Sequence, residues 1–171
     1  MAVNVDEAIR ERRTHKVFGS EPLSRGLLDE LLELARWAPN HHLTNPWRLR
    51  VLGPGALQRL KEADGPEAAA KLDRAPTLVA VTQIRSDDPV QDEEDLSATA
   101  CAAYAVLLGA HGQGLAGYWR TPHVLRTPEG CEALGITDDE RFVALIHLGW
   151  PRQEKPTPER APRSDVVSYL D

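Results

Sequence analysis

Arg10, Arg12, Arg13, His15 and Lys16 fall within seven residues, with Thr14 among them, at the end of a segment of helical pattern. A guanidinium offers paired N–H donors matched to the oxygens of a phosphate monoester, and a hydroxyl adds one more. Basic residues also oppose the dipole at a helix C-terminus, which accounts for any one of them taken singly. Thr14 beside Arg12 and Arg13 is what favours an anion. Two aromatic segments could complete a site. Trp37-Ala38-Pro39-Asn40-His41-His42-Leu43-Thr44-Asn45-Pro46-Trp47 brackets polar side chains between two indoles, and Tyr118-Trp119-Arg120-Thr121 presents another. Core packing accounts best for each tryptophan alone. Together, aromatic faces beside hydrogen-bond donors suit a planar heteroaromatic ligand.

Other chemistries are weaker. Gly112-Gln113-Gly114-Leu115-Ala116-Gly117 fits the G-x-G-x-x-G pattern, with Asp138 roughly 20 residues on, as a dinucleotide fingerprint requires. The fingerprint must follow a strand and open a helix, whereas these glycines follow a helix and lead into Tyr118-Trp119-Arg120-Thr121-Pro122, so they read as a C-cap and a reversal. The adjacent His41 and His42 do not share one helix face, and no carboxylate or cysteine stands at ligand spacing, so no metal is expected. No G-x-S-x-G elbow occurs. Cys101 and Cys131 read as reduced thiols.

The elements that must carry these residues follow from periodicity. A short helix spans Asp6–Arg13, and a second runs from Ser24 to Trp37, with Leu27, Leu28, Leu31, Leu34 and Ala35 on one face. Residues 40–46 form a polar loop before a strand over Trp47–Leu52. Two short helices follow, over Ala56–Ala63 and Pro66–Leu72, then an interior strand over Leu78–Ile84. Residues 87–95 read as a solvated acidic loop. Leu96–His111 is a helix apolar on almost every face, either a subunit seam or the central helix of a monomer. A strand over Leu115–Trp119, a helix over Glu129–Leu134 and a strand over Phe142–Leu148 complete an α/β or α+β sandwich. The charged, proline-rich stretch 152–162 should extend over a surface, and Val166-Val167-Ser168-Tyr169-Leu170 needs something to pack on.

The 171 residues suit a single domain, 1–171, with a C-terminal arm from about 152. A formal charge of −6 argues against nucleic acid as partner. The longest apolar stretch is interrupted by polar residues and no signal-peptide core precedes it, so a cytoplasmic protein without membrane attachment is expected.

Four motifs in order resemble the nitroreductase family, in its short bacterial branch. Ala8-Ile9-Arg10-Glu11-Arg12-Arg13-Thr14-His15-Lys16-Val17-Phe18 is similar to that family's opening segment, and Ala38-Pro39 to Asn45-Pro46-Trp47 to its A-P…P-W loop. Gly114-Leu115-Ala116-Gly117-Tyr118-Trp119-Arg120-Thr121 and His147-Leu148-Gly149-Trp150-Pro151 resemble its later motifs. The resemblance implies a dimeric α/β/α sandwich with a mixed, mainly antiparallel sheet. It implies FMN as cofactor, NAD(P)H as co-substrate and a two-electron, ping-pong reduction of a nitroaromatic, quinone or similar small acceptor. Carried over by position, Arg12, Arg13 and Thr14 bind the FMN phosphate and ribityl end, and Lys16 lies near N1 and O2 of the ring system. Trp37 and His41 reach the flavin of the partner subunit, while Trp119, Arg120 and Thr121 line the N5 and O4 edge or the phosphate. Arg163 is a further phosphate candidate, and no protein acid or base is assigned. Asn40, Leu43 and Asn45 depart from the loop pattern of the larger members, which leaves the acceptor open. The alternatives are a flavoenzyme acting on enones or halogenated aromatics, and an FMN-binding protein without turnover.

Overall fold

The computed structural model describes residues 4–170. Its frame is a four-stranded sheet of β1 (Trp47–Val51), β2 (Thr77–Ile84), β3 (Ala116–Arg120) and β4 (Glu140–Gly149), in the order β1-β2-β4-β3. All three strand pairs are antiparallel. The one parallel pairing among the described residues is an isolated bridge from Thr14 to Gly117.

β2 and β4 are interior strands covered on both faces, which is why each reads as a continuous apolar run. Val79, Val81, Ala144, Ile146 and Leu148 pack with α2 (Arg25–Glu33) and α5 (Pro89–Gly112). Leu78, Ala80 and Leu145 point the other way, to Leu60 of α3 (Pro54–Asp64) and Ala133 of α6 (Pro128–Leu134). The result is the expected α/β/α sandwich. α4 (Pro66–Ala69) follows α3 directly, and the first element is α1 (Val5–Glu11).

Two expectations need correction. Residues 87–95 are mostly not a loop: Pro89–Asp95 forms the first two turns of α5. The Asp88 carboxylate accepts from the Val90 and Gln91 N–H groups at 2.9 and 3.3 Å, and Pro89 occupies a position where its missing N–H costs nothing. The acids in these turns are not all solvated. Asp92 is buried and accepts from Gln83 Nε2 at 2.9 Å and Arg141 Nη2 at 2.7 Å, so tertiary partners supply what water would. Nor is α5 buried all round, because Val90, Cys101 and Tyr104 are exposed. A third finding concerns the arm: every residue from 151 to 170 is exposed, and Val166, Tyr169 and Leu170 are 77, 83 and 93% exposed.

Glu140 is tied into the sheet by Arg50, whose Nη1 and Nη2 donate at 2.7 and 2.5 Å, and by the hydroxyls of Thr82 and Thr137. Burial alone would raise its pKa, but hydrogen bonds from Arg50 and Thr82, the Arg50 charge and the Thr137 hydroxyl hold it at about 2. A carboxyl held below its ordinary value contributes stability at neutral pH that is lost as pH falls from about 4.5 through about 2. Glu140→Gln should therefore lower stability by roughly 1–3 kcal/mol at pH 7, with the difference from wild type shrinking across that acid window in urea melts. At Gly130 of α6 an added Cβ would lie 1.9 Å from the Val124 carbonyl oxygen, which is backbone and cannot swing away. Gly130→Ala should cost about 2–4 kcal/mol in the same melts.

Candidate functional site

α1 ends where Arg12 leaves helical backbone, at φ −54° and ψ 127°. The chain then runs extended along the free edge of β3. Thr14 bridges Gly117, the His15 N–H donates to the Gly117 carbonyl at 3.2 Å, and Phe18 bridges Pro151. This docking sets the basic segment beside the strand that carries Trp119 and Arg120. Gly117 suits the junction because a Cβ there would meet Leu107 Cδ2 of α5 at 2.6 Å.

The arginines of the segment differ. Arg13 Nη1 donates to the carbonyls of Arg10 and Arg12 at 2.5 and 2.9 Å, so it closes the end of α1 as a helix-end arginine would. Arg12 lies over the ring of Tyr104 of α5, 5.8 Å from its centroid, and its buried Nε has no partner. Among the described residues, none of Arg10, Arg12, Arg13, Lys16, Arg120, Arg160 and Arg163 forms an ion pair. Elsewhere the protein satisfies its half-buried cations, as Arg50 with Glu140 and Arg141 with Asp92 show. Unpaired guanidinium groups can receive an anion that the chain itself does not provide.

Strand alternation sends Trp119 and Arg120 to opposite faces. Trp119 packs against the core on the α5 side. Arg120 has a buried Nη1 without a partner, and burial pulls its pKa below the ordinary value. Thr121 is exposed just past the strand. Opposite Tyr118, on β4, stands His147, completely buried, with its ring centroid 5.5 Å from the tyrosine's and neither nitrogen partnered. Burial first, then the charges of Arg120 and Arg74, push it down to about 3, so it is a neutral imidazole.

On the outer side of α5, Trp37 is 80% exposed, not a core residue. With Leu34, Pro39, Cys101, Tyr104 and Leu108 it lines an apolar groove of about 440 Å³. His41 Nδ1 lies 2.7 Å from Glu94 Oε2, and its ring stacks on His42 at 3.8 Å. His41 and Glu94 share the wall of a cavity of about 660 Å³ with Asn40 and Cys101. The loop that presents them is strained: His42, Leu43 and Asn45 have φ of 53°, 53° and 48°. It is held by Asn40, whose Oδ1 accepts from the Asn45 N–H at 2.9 Å, and by Thr44, whose hydroxyl donates to Asp95 Oδ1 at 2.6 Å.

The fold thus joins Arg12, Arg13 and Thr14 to the β3 strand of Trp119, Arg120 and Thr121, and links Trp37 to Arg12 through the shared neighbour Tyr104. His41 stands nearer the start of α5. Lys16 is exposed between the two bridges, and Arg163 opens a turn in the exposed arm. Sequence reasoning did not select Tyr104, Glu94 or the buried state of His147. Tyr104 had a signal, as an aromatic interrupting an alanine-rich helix. Glu94 had none, because it lay inside a run of acids. The orphaned donors of Arg12 and Arg120, the Thr14 hydroxyl and the indoles fit an anionic ligand with a planar aromatic part.

The sequence profile of the nitroreductase family matches residues 9–150. Several relatives bear the name "Putative NAD(P)H nitroreductase". YfhC of Bacillus subtilis is 27% identical, covering 96% of this chain and 93% of that protein. YdjA of Escherichia coli is 26% identical, covering 88% and 91%. A nitroreductase-like family protein from Bacillus cereus superposes with a TM-score of 0.89 at 25% identity, over 100% of this chain and 98% of that one. A Desulfovibrio desulfuricans protein solved in complex with FMN gives 0.82 at 24% identity, over 98% and 96%.

Asp95 is the anchor of the strained loop, since it also accepts from Gln91 Nε2 at 3.0 Å. Asp95→Ala should lower stability by about 1–3 kcal/mol and raise amide hydrogen exchange over residues 41–45 well above wild type.

Proposed function

The chain belongs to the nitroreductase family, and from that premise we propose that it is an FMN-dependent NAD(P)H oxidoreductase reducing nitroaromatics, quinones or similar small acceptors. The observation that carries the reading is the unpartnered guanidinium donor of Arg12, resting on Tyr104, together with that of Arg120 on β3, the strand that Thr14 bridges at Gly117. FMN, when bound, supplies two-electron chemistry, taking a hydride from NAD(P)H and passing the electrons to an acceptor that replaces it in a ping-pong cycle.

The protein's part is binding, orientation and charge. Arg12, Arg13 and Thr14 would hold the phosphate and ribityl end, with Arg163 as a further donor. Lys16 would place a positive charge near N1 and O2, where negative charge gathers on reduction. Trp119, Arg120 and Thr121 would border the N5 and O4 edge. His147 is too deeply buried and too weakly basic to relay a proton, and no other acid or base is assigned. A homodimer fits the apolar features left uncovered in the protomer. The groove lined by Trp37 and Leu108 lies open, and the arm residues Val166, Tyr169 and Leu170 lack a partner surface. In that dimer Trp37 and His41 would face the flavin of the second copy.

The purified protein should be yellow, sediment as a dimer and bleach anaerobically on addition of NADPH or NADH. A colourless protein that also fails to take up added FMN would overturn the reading. Flavin that binds but never bleaches would instead mark an FMN-binding protein without turnover. Arg12→Ala should weaken FMN affinity about tenfold or more by fluorescence titration; unchanged affinity removes the phosphate role of Arg12.

A further inference from the structure

The cavity of about 660 Å³ has two walls, one from the strained loop and one from α5. Asn40 and His41 stand on the loop side, and Glu93, Glu94 and Cys101 on the helix side. The contact of 2.7 Å between His41 Nδ1 and Glu94 Oε2 therefore joins wall to wall. The base of the loop is tied separately. Thr44 donates to Asp95 Oδ1 at 2.6 Å, and the Asn45 N–H donates to Asn40 Oδ1 at 2.9 Å. Among the described residues, the His41 pair is the one side-chain hydrogen bond from residues 41–43 to α5. Within that span His42 and Leu43 both hold φ of 53°, a left-handed backbone unfavourable to residues with a Cβ. Leu43 is 76% exposed, so packing does little to offset the strain.

We infer that residues 41–43 form a proton-controlled flap. The His41–Glu94 pair latches it to the helix wall of the cavity when the imidazole is cationic, and the strained backbone releases it when the imidazole is neutral. A hydrogen bond between charged partners is about twice as strong as one between neutral groups. An imidazole passes between its two forms within about pH 5–8. The groups around His41 set the direction. From α5 these are the carboxylates of Glu94 and Glu93 and the thiol of Cys101, while Asp95 is engaged by Thr44. From the loop it is His42, whose ring stacks at 3.8 Å and 17°. Arg48, past the base of the loop, donates to the Asn45 and Trp47 carbonyls. The carboxylates favour a cation on His41, and the stack disfavours a second one on His42 at the same time. The flap is thus closed toward the acid end of the range and loosens as pH rises. Under the flavin reading, this flap is the part of the loop that carries His41 toward the second copy's flavin, but the inference does not rest on that reading.

The test is NMR of the purified full-length protein with backbone amides and leucine methyls labelled, followed from about pH 6 to about pH 8. The Leu43 signals should move between two limits as the closed-to-open ratio falls about threefold, a size that an exposed ion pair supports. The Asn45 amide should stay in place, because its bond to Asn40 involves no imidazole. Glu94→Gln should hold Leu43 at the alkaline position throughout. His42→Asn, which tolerates left-handed backbone, should keep the transition. Leu43 signals that stay still in wild type, or that move unchanged in Glu94→Gln, overturn the inference. Loss of the transition in His42→Asn alone also overturns it, by assigning the movement to the ring stack. If Glu94→Gln fails to fold, salt decides on wild type. His41 and Glu94 are 57% and 41% exposed, so about 0.5 M sodium chloride at about pH 6 should screen the pair and shift Leu43 toward its alkaline position. No shift is a refutation. These readouts need no bound FMN, so a colourless protein sinks the flavin reading and leaves the flap to the same test.

Discussion

The pairing of Thr14 and His15 with Gly117, on the outer edge of β3, is the contact on which the candidate site depends. An open strand edge exposes unpaired N–H and C=O groups, and here the segment leaving α1 covers that edge through Thr14, His15 and Gly117. The same backbone contact carries the arginines of the helix end to the strand of Trp119 and Arg120. Segments separated by about a hundred positions become neighbours through one hydrogen-bonded bridge. Gly117 permits it, since α5 passes so close beneath that a side chain on this strand residue would strike Leu107.

Around this contact the electrostatics divide the molecule. The chain has a formal charge of −6, yet its acids are placed so that Arg50, Arg85 and Arg141 meet carboxylates on the sheet side, while the cations at the α1 end meet none among the described residues. Pairing Arg50 with Glu140 and Arg141 with Asp92 serves the fold. Leaving Arg12 and Arg120 with orphaned buried donors carries a desolvation penalty that a bound anion would relieve. The neutral His147 fits the same pattern, because its pKa is pushed down to about 3 by burial and then by the nearby cations. α5 connects the two regimes. Its inner face is the apolar core, its first turns hold Asp92 and Asp95 in hydrogen bonds, and Tyr104 faces outward between Arg12 and the groove of Trp37.

Much of this was legible in the chain. The apolar pattern marked β2 as an interior strand and β4 as a strand, Ser24 as the start of α2 and the glycines at 112–117 as a helix end, not a nucleotide fingerprint. Those are local signals: a period of two or of 3.6, a capping side chain, a turn that only glycine tolerates. The acidic stretch 87–95 misled because charge alone suggests solvent. Asp88 followed by Pro89 was the local sign of a helix start, and it was outweighed by composition. Arg10 to Lys16 suggested an anion site by residue type and spacing, and the family, which the profile match bears out, was readable from four motifs in order.

What the sequence determined by itself, then, is the list of elements and the residue types fit for phosphate and aromatic ring, since these follow from short-range geometry and side-chain chemistry. Only the tertiary structure decided which arginine was committed and which was not. Arg12 and Arg13 are neighbours of the same type, and each keeps a buried Nε without a partner, yet Arg13 Nη1 closes a helix end while Arg12 rests on Tyr104. Trp37 and Trp47 belong to one motif, and one is exposed while the other is core. The same holds for His41, whose partner Glu94 is 53 positions away. Partnership and burial depend on which distant elements meet a side chain, and adjacent residues leave the backbone in different directions.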